Sequence, residues 1–223
     1  MTRGELLATL ARRTGKNASS LDTATQTRFL EFLNETHRDL LSEPGMERLR
    51  RATTTFDSVS GTATYTISSM ARVDRVWETT NDRRLFELSI DQYRTIEPDT
   101  AANTGTPTHF VWLGVTAVSS NLLALWPTPA AAITYTVEGL SVIADLANDS
   151  STPLLPLDFH DLLVLGALMR EYEKGDDARY RIAVNRYDKR VKDLKYWLAE
   201  TATGTAGGSR EWTRFNGGWY PAR

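Results

Sequence analysis

Apolar residues recur at helical spacing near both ends of the chain and alternate with polar ones in its middle. Leu6, Leu7 and Leu10 mark one face of a short helix over residues 3–13. The polar stretch "KNASS" breaks it. Phe29, Leu33, Thr36 and Leu40, spaced 4, 3 and 4, then line one face of a longer helix from about residue 22 to 42. "EPG" at residues 43–45 stops that helix, because proline restricts the residue before it and cannot continue the hydrogen-bond ladder. From about residue 51 to 138 the chain is rich in Thr, Val, Tyr and Trp, which suit a pleated surface. "ATTTFD" and "TATYTIS" flank "SVSG" and predict a hairpin. "RVDRVWE" and "RLFELS" around "TTNDR" predict a second. "IDQYRTIEPD" has room for a turn or two of helix before Pro98. "THFVWLGV", "NLLALWP" and "ITYTVEGL" predict three further strands, with Pro127 and Pro129 between strands, where a missing N–H does least harm.

Helical spacing returns at Asp158, a good N-cap, with Asp161 placed to suit the first turn. Leu162, Leu165, Met169 and Tyr172 predict its buried face, and "KGDD" at 174–177 breaks it. Tyr180, Val184, Tyr187, Val191, Leu194 and Leu198 then form a narrow seam, short enough to mean bundle packing rather than a coiled coil. The order predicts an α+β fold: a helical bundle built from N- and C-terminal helices, with an inserted small antiparallel β domain and an extended C-terminal arm. The expected boundaries are 1–49 for the first helices, 50–140 for the β domain and 141–156 for a linker. Residues 157–200 hold the last helices, and 201–223 a flexible arm.

Composition narrows the class. The chain has 223 residues, 41% hydrophobic and 24% charged, enough to build a core without staples. The absence of cysteine excludes disulfides, thiolate metal sites and a cysteine nucleophile. A formal charge of −2 argues against nucleic-acid binding through bulk charge. There is no apolar run of signal-peptide or membrane-span length, so the chain reads as soluble and non-secreted, with no membrane partner.

Chemistry is hard to find. "DFHD" around His160 reads as helix capping by Asp158 and Asp161 with a partly exposed histidine, since neighbours at that spacing do not share a helical face. His37 and His109 have no second ligand at metal spacing. No phosphate loop, GxSxG elbow or HExxH is present. Glu78 and Glu87, on facing arms of the second predicted hairpin, resemble a glycosidase pair only in outline, and solvent-facing strand positions often carry Glu. Trp77, Trp112 and Trp126 could make a sugar platform but lie within strand patterns and read as core. The expectation is no catalysis, no cofactor and no metal. Two features remain. Arg179, Arg181, Arg186, Lys189, Arg190, Lys192 and Lys195 give a local excess of five positive charges over Asp188 and Asp193, either a solvated helix face or a contact for an acidic partner or nucleic acid. The chain also ends in "GTAGGSREWTRFNGGWYPAR", which places Trp212, Phe215, Trp219 and Tyr220 within nine positions of a glycine-rich terminus. Left in water, each forgoes roughly 1.5–3 kcal/mol of transfer energy.

"YTISSMARVDRVW", "TGTPTHFVW", "LLALWPTPAAAITYTVEGL" and "SSTPLLPLDFHDLLVLGALMREYEKGDDARYRIAVNRYDKRV" resemble the head-to-tail adaptor (connector) proteins of tailed bacteriophages, of the podovirus type that docks under the portal. The likeness spans about residues 25–198, and its strongest phrase is the strand–"PTP"–strand step followed by "LPLDFHDLL". The resemblance implies a virion protein of the neck, made in the host cytoplasm. It implies a ring of identical subunits, usually a dodecamer, on the portal vertex. Such a ring extends the DNA channel with transient contact to double-stranded DNA, helps retain the genome and offers a platform to a further tail or nozzle protein. It performs no reaction. On this likeness Arg210, Trp212, Arg214, Phe215, Trp219 and Tyr220 of the arm become candidate portal anchors, aromatics and arginine being the usual hot-spot types. The basic stretch would face an acidic partner or the channel. The alternative is a monomeric carbohydrate-binding β module with a tryptophan platform.

Overall fold

The computed structural model describes residues 1–96, 103–117, 120–202, 212–215 and 218–221. In chain order the elements are α1 (Arg3–Arg13), α2 (Thr23–Ser42), β1 (Arg51–Asp57), β2 (Thr64–Ile67), β3 (Met70–Glu78), β4 (Arg83–Arg84) and β5 (Phe86–Leu88). There follow α3 (Ile90–Ile96), β6 (Thr104–Gly105), β7 (His109–Ala117), β8 (Ser120–Trp126), β9 (Thr128–Pro129) and β10 (Thr134–Ser141). Next come α4 (Asp161–Lys174), α5 (Tyr180–Ala202), β11 (Trp212–Phe215) and β12 (Gly218–Pro221). The chain divides into two compact units, residues 1–48 with 145–223, and residues 49–144.

In the first unit α4 is the central element. Every residue from Leu162 to Leu168 is buried, and α1, α2 and α5 all pack against it. A helix apolar on all sides must be enclosed on all sides, so the single face predicted from spacing, Leu162, Leu165, Met169 and Tyr172, understates its burial. Conversely Met169 and Tyr172, at its far end, are only half-buried. Gly166 lets α2 approach closely: a Cβ there would lie 2.3 Å from Thr36 Cγ2. Thr36 is itself held, its hydroxyl donating to Phe32 O at 2.7 Å and accepting from Arg170 Nη1 at 2.8 Å. Arg170 also reaches Glu35 at 3.2 Å and Asp39, and Arg28 forks onto Glu171 at 3.0 and 3.1 Å. The buried stripe of α5 is Ala183, Tyr187, Val191, Leu194 and Leu198. Ala183 replaces the expected Val184 because a straight helix drifts from a strict heptad seam.

Two sequence expectations about α4 need correction. Asp158 does not cap it: a 3-10 turn over Leu157–Phe159 comes first, and the N-cap is His160, without a side-chain cap bond. His160 is also buried, 5% exposed, with Nε2 2.9 Å from Leu155 O and Nδ1 2.6 Å from Met1 N. The returning segment is tied to α2 as well. Leu146 N donates to Asn34 Oδ1 at 2.9 Å, Arg38 pairs with Asp145 at 2.5 Å, and Leu154 N donates to His37 Nε2 at 3.3 Å. Burial holds the His37 imidazole down to about 4 from an ordinary 6.5, and its Nδ1 has no hydrogen-bond partner.

The second unit is a sandwich of two four-stranded sheets, ordered β1-β10-β3-β4 and β2-β8-β7-β5. Ile67, Phe110, Leu123 and Leu125 from one meet Met70, Val73, Val76, Tyr135 and Val137 from the other. On the outer face of the second sheet α3 lays Tyr93 over Val111 and Ala124. Neither predicted hairpin forms as drawn. β1 pairs with β10 and β2 with β8, so the chain crosses between sheets at residues 58–63, and Phe56 and Tyr65 meet ring to ring at 4.9 Å in the core. β4 pairs with β3, but β5 joins the other sheet and runs parallel to β7. At Gly139 a bulge brings Arg72 O to within 1.9 Å of where a Cβ would stand, so only glycine fits.

Two outcomes are expected. In a helix interior Gly→Ala ordinarily gains about 1 kcal/mol, but Gly166→Ala will destabilise the protein by about 1–3 kcal/mol through overpacking. The same change in a Thr36→Ala background will cost at least about 1 kcal/mol less. Urea unfolding of the four chains checks this, and additive penalties would refute the contact. For His37, the unfolded chain takes a proton as pH falls below 6.5 while the folded chain resists until about 4. Stability from this group is therefore complete above 6.5 and falls by about 3 kcal/mol down to pH 4. His37→Gln will lose less stability than wild type between pH 7.5 and 4.5 in the same assay, and parallel curves would rule the histidine out.

Candidate partner-binding surfaces

The seven basic residues of the α5 region divide into two sets. Arg179 forks onto Asp177, its Nη2 2.5 Å from Oδ2, and lies 4.6 Å over the Tyr172 ring. The hydrogen bond to Asp177 raises the Arg179 guanidinium above its ordinary value. Arg190 pairs with Asp161 at 3.2 Å, donates to Asp158 O and covers the Phe159 ring at 4.6 Å. Lys195 meets Glu43 at 2.7 Å. These three hold the helical unit together. Arg181, Arg186, Lys189 and Lys192 are exposed and have no ion-pair partner among the described residues.

Arg186 and Lys189 stand at an open groove of about 790 Å³ lined by α4, α5 and the end of α1. Arg13, from the last turn of α1, joins them there, also without an ion pair among the described residues. Nothing in the spacing of the sequence links Arg13 to α5, 173 positions from Arg186; only the packing of α1 on α4 does. Arg181 belongs to other parts of the surface.

In the arm, β11 and β12 pair as an antiparallel ribbon, Trp212 opposite Pro221, Thr213 opposite Tyr220, Arg214 opposite Trp219 and Phe215 opposite Gly218. The ribbon was not anticipated, although Asn216-Gly217 between two β-rich runs is a strong hairpin signal. Arg210 lies outside the described residues.

The enzyme-like candidates come apart. Glu78 is 4% exposed, paired with Arg83 at 3.1 Å and accepting from Asn81. Glu87 is exposed and lies in the other sheet, so the two carboxylates do not face each other across a hairpin. Trp77 and Trp126 are half-buried, whereas Trp112 is 40% exposed rather than core, its Nε1 donating to Asn121 Oδ1 at 2.9 Å. Phe86, His109 and Trp126 form a row of rings across β5, β7 and β8, at 5.9 and 5.5 Å. Among the described residues no group of three or more His, Asp or Glu is placed to hold a metal ion, and no helix is long and apolar enough to cross a membrane.

Helices from both ends of the chain enclosing α4, with a β sandwich inserted between them, give the layout that the resemblance implies. Residues 1–211 match the family model described as SU10 adaptor protein, and the chain belongs to that family of bacteriophage head-to-tail adaptors. It is a structural adaptor of the phage virion, a role that associates it with other virion components. No curated protein matches the chain.

Proposed function

We propose that the protein forms a ring of identical subunits beneath the portal, a dodecamer, which extends the DNA channel, helps retain the packaged genome and carries the next tail component. The observation that supports this reading is the family match over residues 1–211. The protein acts by assembly and catalyses no reaction. The arm is the portal anchor, with Trp212, Phe215, Trp219 and Tyr220 filling pockets on the portal and Arg210 and Arg214 pairing beside them. Ordering the arm costs about 1–2 kcal/mol of backbone entropy per residue. A ring offsets that cost, because once several arms hold, the rest bind at high effective concentration.

The test is to mix the chain with the portal protein of the same genome, with and without residues 204–223, and to image the product by electron microscopy. A ring below the portal is expected with the full chain only, while the truncated chain keeps its fold by circular dichroism. Trp212→Ala with Trp219→Ala is expected to weaken attachment by about 2 kcal/mol or more. A truncated chain that still decorates portals would move the anchor elsewhere, and no ring with either chain would remove the adaptor position.

A further inference from the structure

We propose that the groove between α1, α4 and α5 is a docking site for an acidic segment of a partner protein that carries at least one large apolar side chain. The inference rests on the adaptor reading only for its first partner to test, the portal protein.

The floor is apolar. Leu165, Leu168 and Ala183 line it, and Ile182 beside them is 55% exposed. Tyr172 lines the groove too, capped by the Asp177-anchored Arg179. The rim is basic, because Arg13, Arg186 and Lys189 have no ion-pair partner among the described residues. Asp193 is the single lining acid without one, since Asp161 is held by Arg190. An excess of two positive charges around an apolar floor fits an acidic, amphipathic segment. It fits the chain's own arm badly, since residues 204–223 carry Arg210, Arg214 and Arg223 against one acid, Glu211. It fits duplex DNA badly too, since phosphates gain nothing from the apolar floor or from Ile182.

A labelled synthetic helical peptide, with leucines at i, i+3 and i+4 and glutamates elsewhere, probes the groove of the full-length chain by fluorescence anisotropy. Arg186→Glu with Lys189→Glu is expected to weaken binding by about tenfold or more, and added salt to weaken it further. The neutral change Ile182→Ser is expected to weaken it about fivefold, and deletion of residues 204–223 to leave it unchanged. Thermal unfolding confirms that each variant folds, with Arg186→Gln and Lys189→Gln as a milder pair. No peptide binding, or binding indifferent to the charge pair or to Ile182, overturns the proposal. So does displacement of the peptide by a short DNA duplex, or a wild-type self-association that the same variants abolish in sedimentation. With the portal protein, the charge pair is expected to cost about tenfold in affinity beyond any effect of the arm. A portal that binds wild type and both groove variants equally overturns the groove as a portal contact. A portal that fails to bind even wild type removes the adaptor position and leaves the peptide result to decide the groove.

Discussion

The enclosure of α4 is the constraint on which the rest of the structure depends. Seven successive buried residues cannot be covered by one partner helix. The cover comes from α1 and α2 on one side of the sequence and α5 on the other. The β sandwich is therefore an excursion that must leave the helical unit and return to it. Its first and last long strands are neighbours, Arg51 opposite Leu140, so the excursion closes where it opened. Beyond the sandwich, Asn34, His37 and Arg38 of α2 receive the returning chain at residues 145–154 before α4 begins. The same helix that packs against Gly166 thus also steers the chain into α4.

Charge is distributed by the same logic. Arginines do most of the fastening in the helical unit, through forked contacts that a lysine cannot reproduce: Arg28 on Glu171, Arg170 on Thr36, Glu35 and Asp39, Arg190 on Asp161 and Asp158 O. A local excess of basic residues in a sequence counts these fasteners together with the charges left for a partner. Arg179 is engaged by a near neighbour in sequence, Asp177, but only packing separates Arg190 and Lys195, which are engaged, from Arg186 and Lys189, which have no ion-pair partner among the described residues and are joined by Arg13.

The helices were legible from the sequence because their periodicity is local: the spacing of Leu6, Leu7 and Leu10 and of Phe29 to Leu40 places α1 and α2 within a residue or two. The strands were legible as strands but not as partners. Alternation says which residues face a core, yet not which strand lies alongside. "ATTTFD" and "TATYTIS" look like two arms of a hairpin, and their aromatics do meet, but as side chains from opposite sheets across the core. The same blindness put Glu78 and Glu87 on one hairpin, when the chain changes sheets at Leu85 between them. A histidine in the first turn of a capped helix is expected to be partly exposed, but His160 is buried by contacts with Leu155 and Met1, the second far away in sequence.

The arm joins these threads. The family match ends at residue 211 and the ribbon begins at Trp212, so the aromatic segment lies beyond what the family model covers. An isolated two-stranded ribbon is marginal in water. Under the proposed role that marginality is useful. Pairing of β11 with β12 fixes part of the backbone before docking and so removes part of the ordering cost. The remainder must come from the partner surface, which ties the stability of the ribbon to the presence of its partner. The groove proposed as a second site has a preformed floor on α4 and α5, so docking there adds a contact that needs no such ordering. Two contacts of unlike character on one subunit then give a partner both a rigid seat and a tether, and the tether is effective only where the seat is already occupied.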